Sequence, residues 1–188
     1  MFGAILGDII GQPYEFDRGH KTKEFPLFCK NPRFTDDSVM TIAICDGILK
    51  AGLDANENTM KAAMITSMQL WGHKYPHSGY GGRFYRWLAM EETKPYNSWG
   101  NGSAMRVSSV GWLFDSLERA REVARWSAEV THNHPEGVKG AEATAMAEAF
   151  YGLSEKFKAR AYEFTTEDMH LVMKSFEEKA IERKEREA

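Results

Sequence analysis

Cysteine is nearly absent, with Cys29 and Cys45 the only two among 188 residues. Two thiols cannot staple a chain of this size and their spacing resembles no zinc site, so free thiols in a reducing, cytoplasmic setting are expected. A basic excess is also missing. The 24 Lys and Arg stand against 27 Asp and Glu, for a formal net charge of -3 and a pI near 6.1, which recommends neither a nucleic-acid partner nor an anionic membrane surface. No apolar run reaches the ~20 residues of a membrane-spanning helix. The apolar opening Met1 to Gly11 has no basic lead and carries Asp8 inside it, so neither a signal peptide nor a span is expected there. Alternating strand patterns are lacking as well.

What remains is helical. Hydrophobic residues make up 43% of the chain, enough for one compact domain over residues 1–188 with a real core. Apolar residues recur at three- and four-residue intervals over Ser38 to Ala51, Glu57 to Trp71, Ala104 to Phe114, Leu117 to Val130, Gly137 to Tyr151 and Glu167 to Glu187, which predicts an all-α fold. The connections are rich in Gly, Pro, Asn and His, as in Gly79-Tyr80-Gly81-Gly82 and Ser98 to Ser103. Function is expected on these loops and at helix starts facing one side of the domain.

The first helix carries Gly3, Gly7 and Gly11 on one stripe, where each glycine costs about 1 kcal/mol relative to alanine unless another backbone packs closely. Asp8 lies beside the stripe and Glu15 follows in the exit loop, either facing that packing partner or solvated. From Phe176 to Ala188 charged residues dominate, predicting a solvated helix end or tail.

Three constellations can carry chemistry. The first is Phe34-Thr35-Asp36-Asp37-Ser38-Val39-Met40-Thr41, which sets two carboxylates and two hydroxyls side by side before an apolar helix. Such oxygen donors suit Mg²⁺ or Ca²⁺. Equally, Thr35 can cap the helix with Asp36 and Asp37 against its dipole, at about 0.3–1 kcal/mol per charge. The second is Gly100-Asn101-Gly102-Ser103, running into a helix near Ala104 with Arg106 beyond. It is either a phosphate-binding turn or an ordinary Asn-Gly turn capped by Ser103. The third is Thr131-His132-Asn133-His134-Pro135-Glu136-Gly137, where one histidine faces a substrate or one caps the following helix and the other is surface. A spacing of two does not suit shared zinc ligation.

In order and content these pieces resemble the ADP-ribosylglycohydrolase family, helical enzymes that remove ADP-ribose from modified acceptors. The resemblance rests on Gly3-Ala4-x-x-Gly7-Asp8-x-x-Gly11 with Glu15, Thr35-Asp36-Asp37-Ser38, Tyr80-Gly81-Gly82, Gly100 to Arg106, and Thr131-His132 with His134 to Gly137. It implies a compact orthogonal helical bundle with two Mg²⁺ ions in a cleft. Thr35, Asp36 and Asp37 match metal ligands, and Glu15, Asp36 and Asp37 the catalytic carboxylates. Tyr80, Gly100, Asn101, Gly102, Ser103 and His132 or His134 match substrate-binding positions, with the first four loop residues of that set after Tyr80 facing the diphosphate. Ser38 stands where the family usually has Thr, keeping a hydroxyl.

The family's second metal-ligand motif, Asp-x-Asp-Thr, is absent, since this chain contains no Asp-x-Asp. Residues 1–146 resemble the family's N-terminal part and 147–188 its C-terminal helices, joined within one alanine-rich helix, as in an internally shortened member. Glu167 and Asp168 either replace some missing ligands or begin a surface helix. The resemblance therefore implies an Mg²⁺-dependent hydrolase of ADP-ribosyl bonds on proteins or small molecules. The alternative is a catalytically impaired ADP-ribose-binding or remnant protein. A second copy of the chain is a further expected partner, since missing helices expose core.

Overall fold

The computed structural model describes residues 2–15 and 22–160, the side chains as far as residue 151. The chain divides into two compact units, Met1–Phe150 and Tyr151–Ala188, and the candidate site lies wholly in the first. The predicted helix over 167–187, with Glu167 and Asp168, lies outside the described residues.

Among the described residues the secondary structure is helical throughout: α1 (Phe2–Gly11), a 3-10 turn (Gln12–Tyr14), α2 (Asp36–Ala51), α3 (Glu57–Lys74), α4 (Gly82–Leu88), α5 (Gly102–Met105), α6 (Ser108–Leu113), α7 (Leu117–Glu129) and α8 (Pro135–Arg160). The all-α expectation holds. Local chemistry explains the best-defined boundaries. The Asn56 side chain accepts from Thr59 N at 3.0 Å to start α3, and Ser116 Oγ accepts from Arg119 N at 3.2 Å to start α7. Helix α2 ends at Gly52, whose φ of +88° favours glycine.

Two elements depart from the periodicity. The expected helix from Ala104 to Phe114 is broken into α5 and α6, because Arg106 (φ -94°, ψ -4°) and Val107 (φ -89°, ψ -4°) turn the chain between them. Helix α4 arises where a glycine loop was expected to continue; it opens on Gly81 without a side-chain cap and is held by burial of Phe84, Trp87 and Leu88.

Helices α2 and α3 form the centre of the core. A Cβ on Gly47 would stand 2.7 Å from Met64 Cα, so the two backbones touch, with Ile44, Ile48, Met60, Met64 and Met68 fully buried around the contact. Lys61 of α3 joins α7 through Glu129 at 2.6 Å. The glycine stripe of α1 behaves differently from expectation: Cβ atoms on Gly3, Gly7 and Gly11 would meet nothing within 4 Å among the described residues, and Phe2 is 82% exposed. No helix among the described residues is long and apolar enough to cross a membrane.

Candidate active-site cleft

The N-terminus of α2 is fixed from two sides. Thr35 is its N-cap, its hydroxyl accepting from Asp37 N at 3.3 Å, so the capping alternative is realised. Asp8 of α1 adds a second cap. Its Oδ2 accepts from Thr35 N at 2.7 Å, Ser38 N at 3.2 Å and Ser38 Oγ at 2.5 Å, and its Oδ1 accepts from Thr35 Oγ1 at 2.7 Å. Asp36 N donates to Ser78 O at 2.7 Å, which ties the loop before α4 to the same turn. Thr41 donates to Asp37 O at 2.7 Å and reaches Met105 O at 3.3 Å, joining α2 to α5.

These ties place Asp36 on the wall of a cleft of ≈ 300 Å³ whose lining also includes the Gly100–Gly102 loop, Arg106 and His132. Gly100, Asn101, Gly102, Met105 and Arg106 line it from α5 and its approach, Gly81 to Phe84 from α4, and Tyr96 and Ser98 from the loop between. Of the substrate-facing residues expected from the sequence, Gly100, Asn101, Gly102 and His132 meet here. Three others have different surroundings. Tyr80 packs against Phe84, ring centroids 5.7 Å apart, and is not among the lining residues; Ser103 is buried and donates to Gly137 O at 2.7 Å; His134 Nδ1 accepts from Glu136 N at 3.1 Å, at the start of α8. Of the two histidines, His132 is therefore the cleft residue.

Helix α5 is a single turn, so its dipole contributes little to the loop. Ala104 N and Met105 N both close on Asn101 O at 2.9 Å, while the N–H groups of Gly102 and Ser103, at the start of the turn, have no intrahelical acceptor. Glycine at 102 is a steric requirement, because a Cβ would lie 2.8 Å from His132 Nε2. Behind the loop Arg106 is 1% exposed and donates through Nη2 to Ser127 O at 2.5 Å and Thr131 Oγ1 at 2.8 Å. Its Nε has no partner, the one such buried side-chain donor among the described lining residues. Burial pulls its guanidinium down to about 10.

Charge is concentrated at the other wall. Burial, then Asp37, then Glu15 and Asp8 push the Asp36 carboxyl up to about 6, and burial and Asp8 push Asp37 up. Glu15 is exposed at the end of the 3-10 turn, and its charge reaches Asp36. None of these four acids forms an ion pair among the described residues. The oxygen donors of Thr35, Asp36 and Asp37 therefore fit a hard divalent cation, which needs only one or two protein carboxylates and fills its sphere with water or ligand oxygens. They fit it as a partial set: among the described residues no group of three or more His, Cys, Asp or Glu is placed to hold a metal together.

A model of the ADP-ribosylglycohydrolase family matches residues 1–185. The chain belongs to this family. It is similar to the ADP-ribosylhydrolase ARH3 of Mus musculus and of Homo sapiens, 27% identical to each over 179 residues, covering 78% of this chain and 46% and 47% of theirs. The ADP-ribosylhydrolase ARH1 of Dictyostelium discoideum is 26% identical over 155 residues, covering 73% of this chain and 38% of its own. The chain thus spans about half the length of the curated relatives it matches.

Arg83, Tyr96, Ser98 and Arg106 also line the cleft, and Asp8 caps the helix that carries Asp36. Arg106 is expected from the sequence as a charge-assisted phosphate contact, and its bonds to Ser127 and Thr131, like the capping role of Asp8, are visible only in the fold. Arg83, Tyr96 and Ser98 had no signal beyond lying near glycine-rich turns.

Proposed function

We propose that the cleft binds an ADP-ribosyl group and that the chain hydrolyses its glycosidic bond with Mg²⁺. The observation that carries this reading is the convergence of Asp36, the Gly100–Gly102 loop, Arg106 and His132 on one wall-to-wall cavity. Family membership and the relatives' name, ADP-ribosylhydrolase, support the substrate class.

In this reading Thr35, Asp36 and Asp37 hold the metal, which when bound supplies positive charge at the ribose hydroxyls and the attacking water. The rest falls to the chain itself. The N–H groups of Gly102 and Ser103 and the Arg106 guanidinium hold the diphosphate end, and His132 and Asn101 orient it. Tyr80 stays outside this set as a support for Phe84, and His134 as a cap. Glu15, the exposed carboxylate whose charge reaches Asp36, accepts the proton of the attacking water as positive charge develops at the anomeric carbon.

A second reading is an ADP-ribose binder without turnover, an internally shortened member in which 147–188 follows 1–146 directly. It is favoured by the partial ligand set and by the missing Asp-x-Asp. Thermal unfolding with and without ADP-ribose, each in Mg²⁺ and in EDTA, tests both. Ligand at 100 times its dissociation constant adds about 2.7 kcal/mol, raising the midpoint by roughly 5–10 °C. A shift that needs both ligand and Mg²⁺, with release of free ADP-ribose from a modified substrate, is the expected result. A shift without turnover establishes the binder, and no shift under any condition overturns both readings.

A further inference from the structure

Thr131, His132 and Arg106 form a chain of hydrogen bonds whose proton positions are fixed by valence. Arg106 Nη2 lies 2.8 Å from Thr131 Oγ1, and Thr131 Oγ1 lies 2.7 Å from His132 Nδ1. All three residues are buried: Thr131 is 0% exposed, Arg106 1% and His132 5%. A guanidinium only donates, so Thr131 Oγ1 accepts from Arg106. The hydroxyl has one proton of its own. If Nδ1 carried a proton, Thr131 would accept twice and its own proton would have no acceptor among the described residues; such a buried orphan costs about 1–3 kcal/mol. With Nδ1 as acceptor, Thr131 Oγ1 accepts from Arg106 and donates its own proton to His132.

We propose that Arg106 and Thr131 are positioning residues that lock His132 in the neutral Nε2–H form, making it a fixed hydrogen-bond donor in the cleft in place of an acid–base group. The Nε2 edge of the ring packs against Gly102, where a Cβ would lie 2.8 Å from Nε2 and 2.9 Å from Cε1, and both residues line the cleft. The other charged and titratable groups around the ring agree with a neutral imidazole. The Tyr96 ring lies 5.8 Å away, its hydroxyl kept protonated by burial; Arg106 adds positive charge, Arg83 shares the lining, and Asp36 is the one carboxylate among the described lining residues. Burial and Arg106 together hold the His132 imidazole down at about 4.

The donor role rests on the ADP-ribose reading above, whereas the lock is a property of the chain alone, and the two can be tested apart. Long-range proton–nitrogen correlation spectra of the imidazoles, assigned with His132→Gln, report the tautomer in the unmodified chain. The expected result is one neutral Nε2–H imidazole from pH 7.5 to pH 5.5. Thr131→Val removes the hydroxyl at nearly constant shape and is expected to populate the Nδ1–H form and to raise the calorimetric dissociation constant for ADP-ribose about tenfold, the loss of one charge-assisted contact. Thr131→Ser restores the hydroxyl and is expected to keep the spectrum and stay within about twofold in affinity. An Nδ1–H or a protonated His132 in the unmodified chain at pH 6 overturns the lock, as does a Thr131→Val protein with an unchanged imidazole spectrum. An Nε2–H imidazole in a chain that fails to bind ADP-ribose overturns the functional reading and the donor role, leaving the lock in place.

Discussion

Asp8 belongs to α1, yet among the described residues its four side-chain hydrogen bonds all come from Thr35 and Ser38 at the start of α2. It thus does for α2 what a first-turn carboxylate does within a helix, with two backbone N–H groups satisfied and negative charge set against the dipole. Asp8→Ala is expected to cost about 2–3 kcal/mol, since hydrogen bonds to a charged group carry more than neutral ones. In a domain this size that lowers the unfolding midpoint by roughly 4–12 °C. The loss should be present in EDTA; a loss seen only in Mg²⁺ would mean that Asp8 acts through the metal instead of through the cap. Gly102 makes the complementary case at the opposite wall. Gly102→Ala inserts a methyl against His132 Nε2 at 2.8 Å and so has to displace the ring. The affinity for ADP-ribose should fall at least about tenfold, about 1.4 kcal/mol, with a midpoint change of only a few degrees. Unchanged affinity would remove His132 from the binding surface.

At the scale of elements, the α2–α3 contact depends on Gly47, where a Cβ would meet Met64 Cα at 2.7 Å, Met64 N at 3.0 Å and Ala63 O at 3.1 Å. Backbone cannot yield as a side chain can. Gly47→Ala is expected to destabilise by about 1–3 kcal/mol as the helices are forced apart, read as a lower urea midpoint with an unchanged slope. Gly72→Ala is a control, because its Cβ would press on the terminal atoms of the Leu88 side chain, which can rotate. Helices α2, α3 and α7 were legible in the sequence because cap and periodicity agree in each. The break between α5 and α6 was not, because its cause is tertiary: Arg106 reaches Ser127 and Thr131, residues distant in the chain. Helix α4 was hidden by opening on glycine and by its seven residues. The site divides in the same way. Asp36, the Gly100–Gly102 loop and the histidine pair stood out as motifs, whereas Arg83 and Tyr96 are single residues that only folding brings to the cleft, and only the backbone of α8 distinguishes His134 from His132.

Over the whole molecule, the two walls of the cleft respond to pH in opposite directions. Asp36 has an ordinary value of 3.8 and a folded value of about 6, so between pH 4 and 6 the folded chain holds the additional proton and stability from this group falls as pH rises. Asp37 shifts in the same direction. His132 has an ordinary value of 6.5 and a folded value of about 4, so over nearly the same range the unfolded chain holds the additional proton and stability falls as pH drops. A fully shifted group contributes a slope of about 1.4 kcal/mol per pH unit, reduced for half-exposed Asp36 by solvent screening. In the unmodified protein the contributions of Asp36 and His132 to the urea-unfolding free energy in EDTA are therefore expected to oppose each other from pH 6.5 to pH 4, on top of the fall toward acid that carboxylates held low elsewhere impose. Asp36→Asn leaves the histidine uncompensated and should lose stability on acidification, while His132→Gln leaves the aspartates uncompensated and should gain it. Carboxylates held low elsewhere, such as Asp46 and Glu57, are common to all three proteins and cancel in the comparison. Three parallel curves would mean that neither wall is held away from its ordinary protonation; curves that diverge toward acid with opposite signs would show an acidic wall set to receive a cation and an opposing wall whose histidine stays neutral.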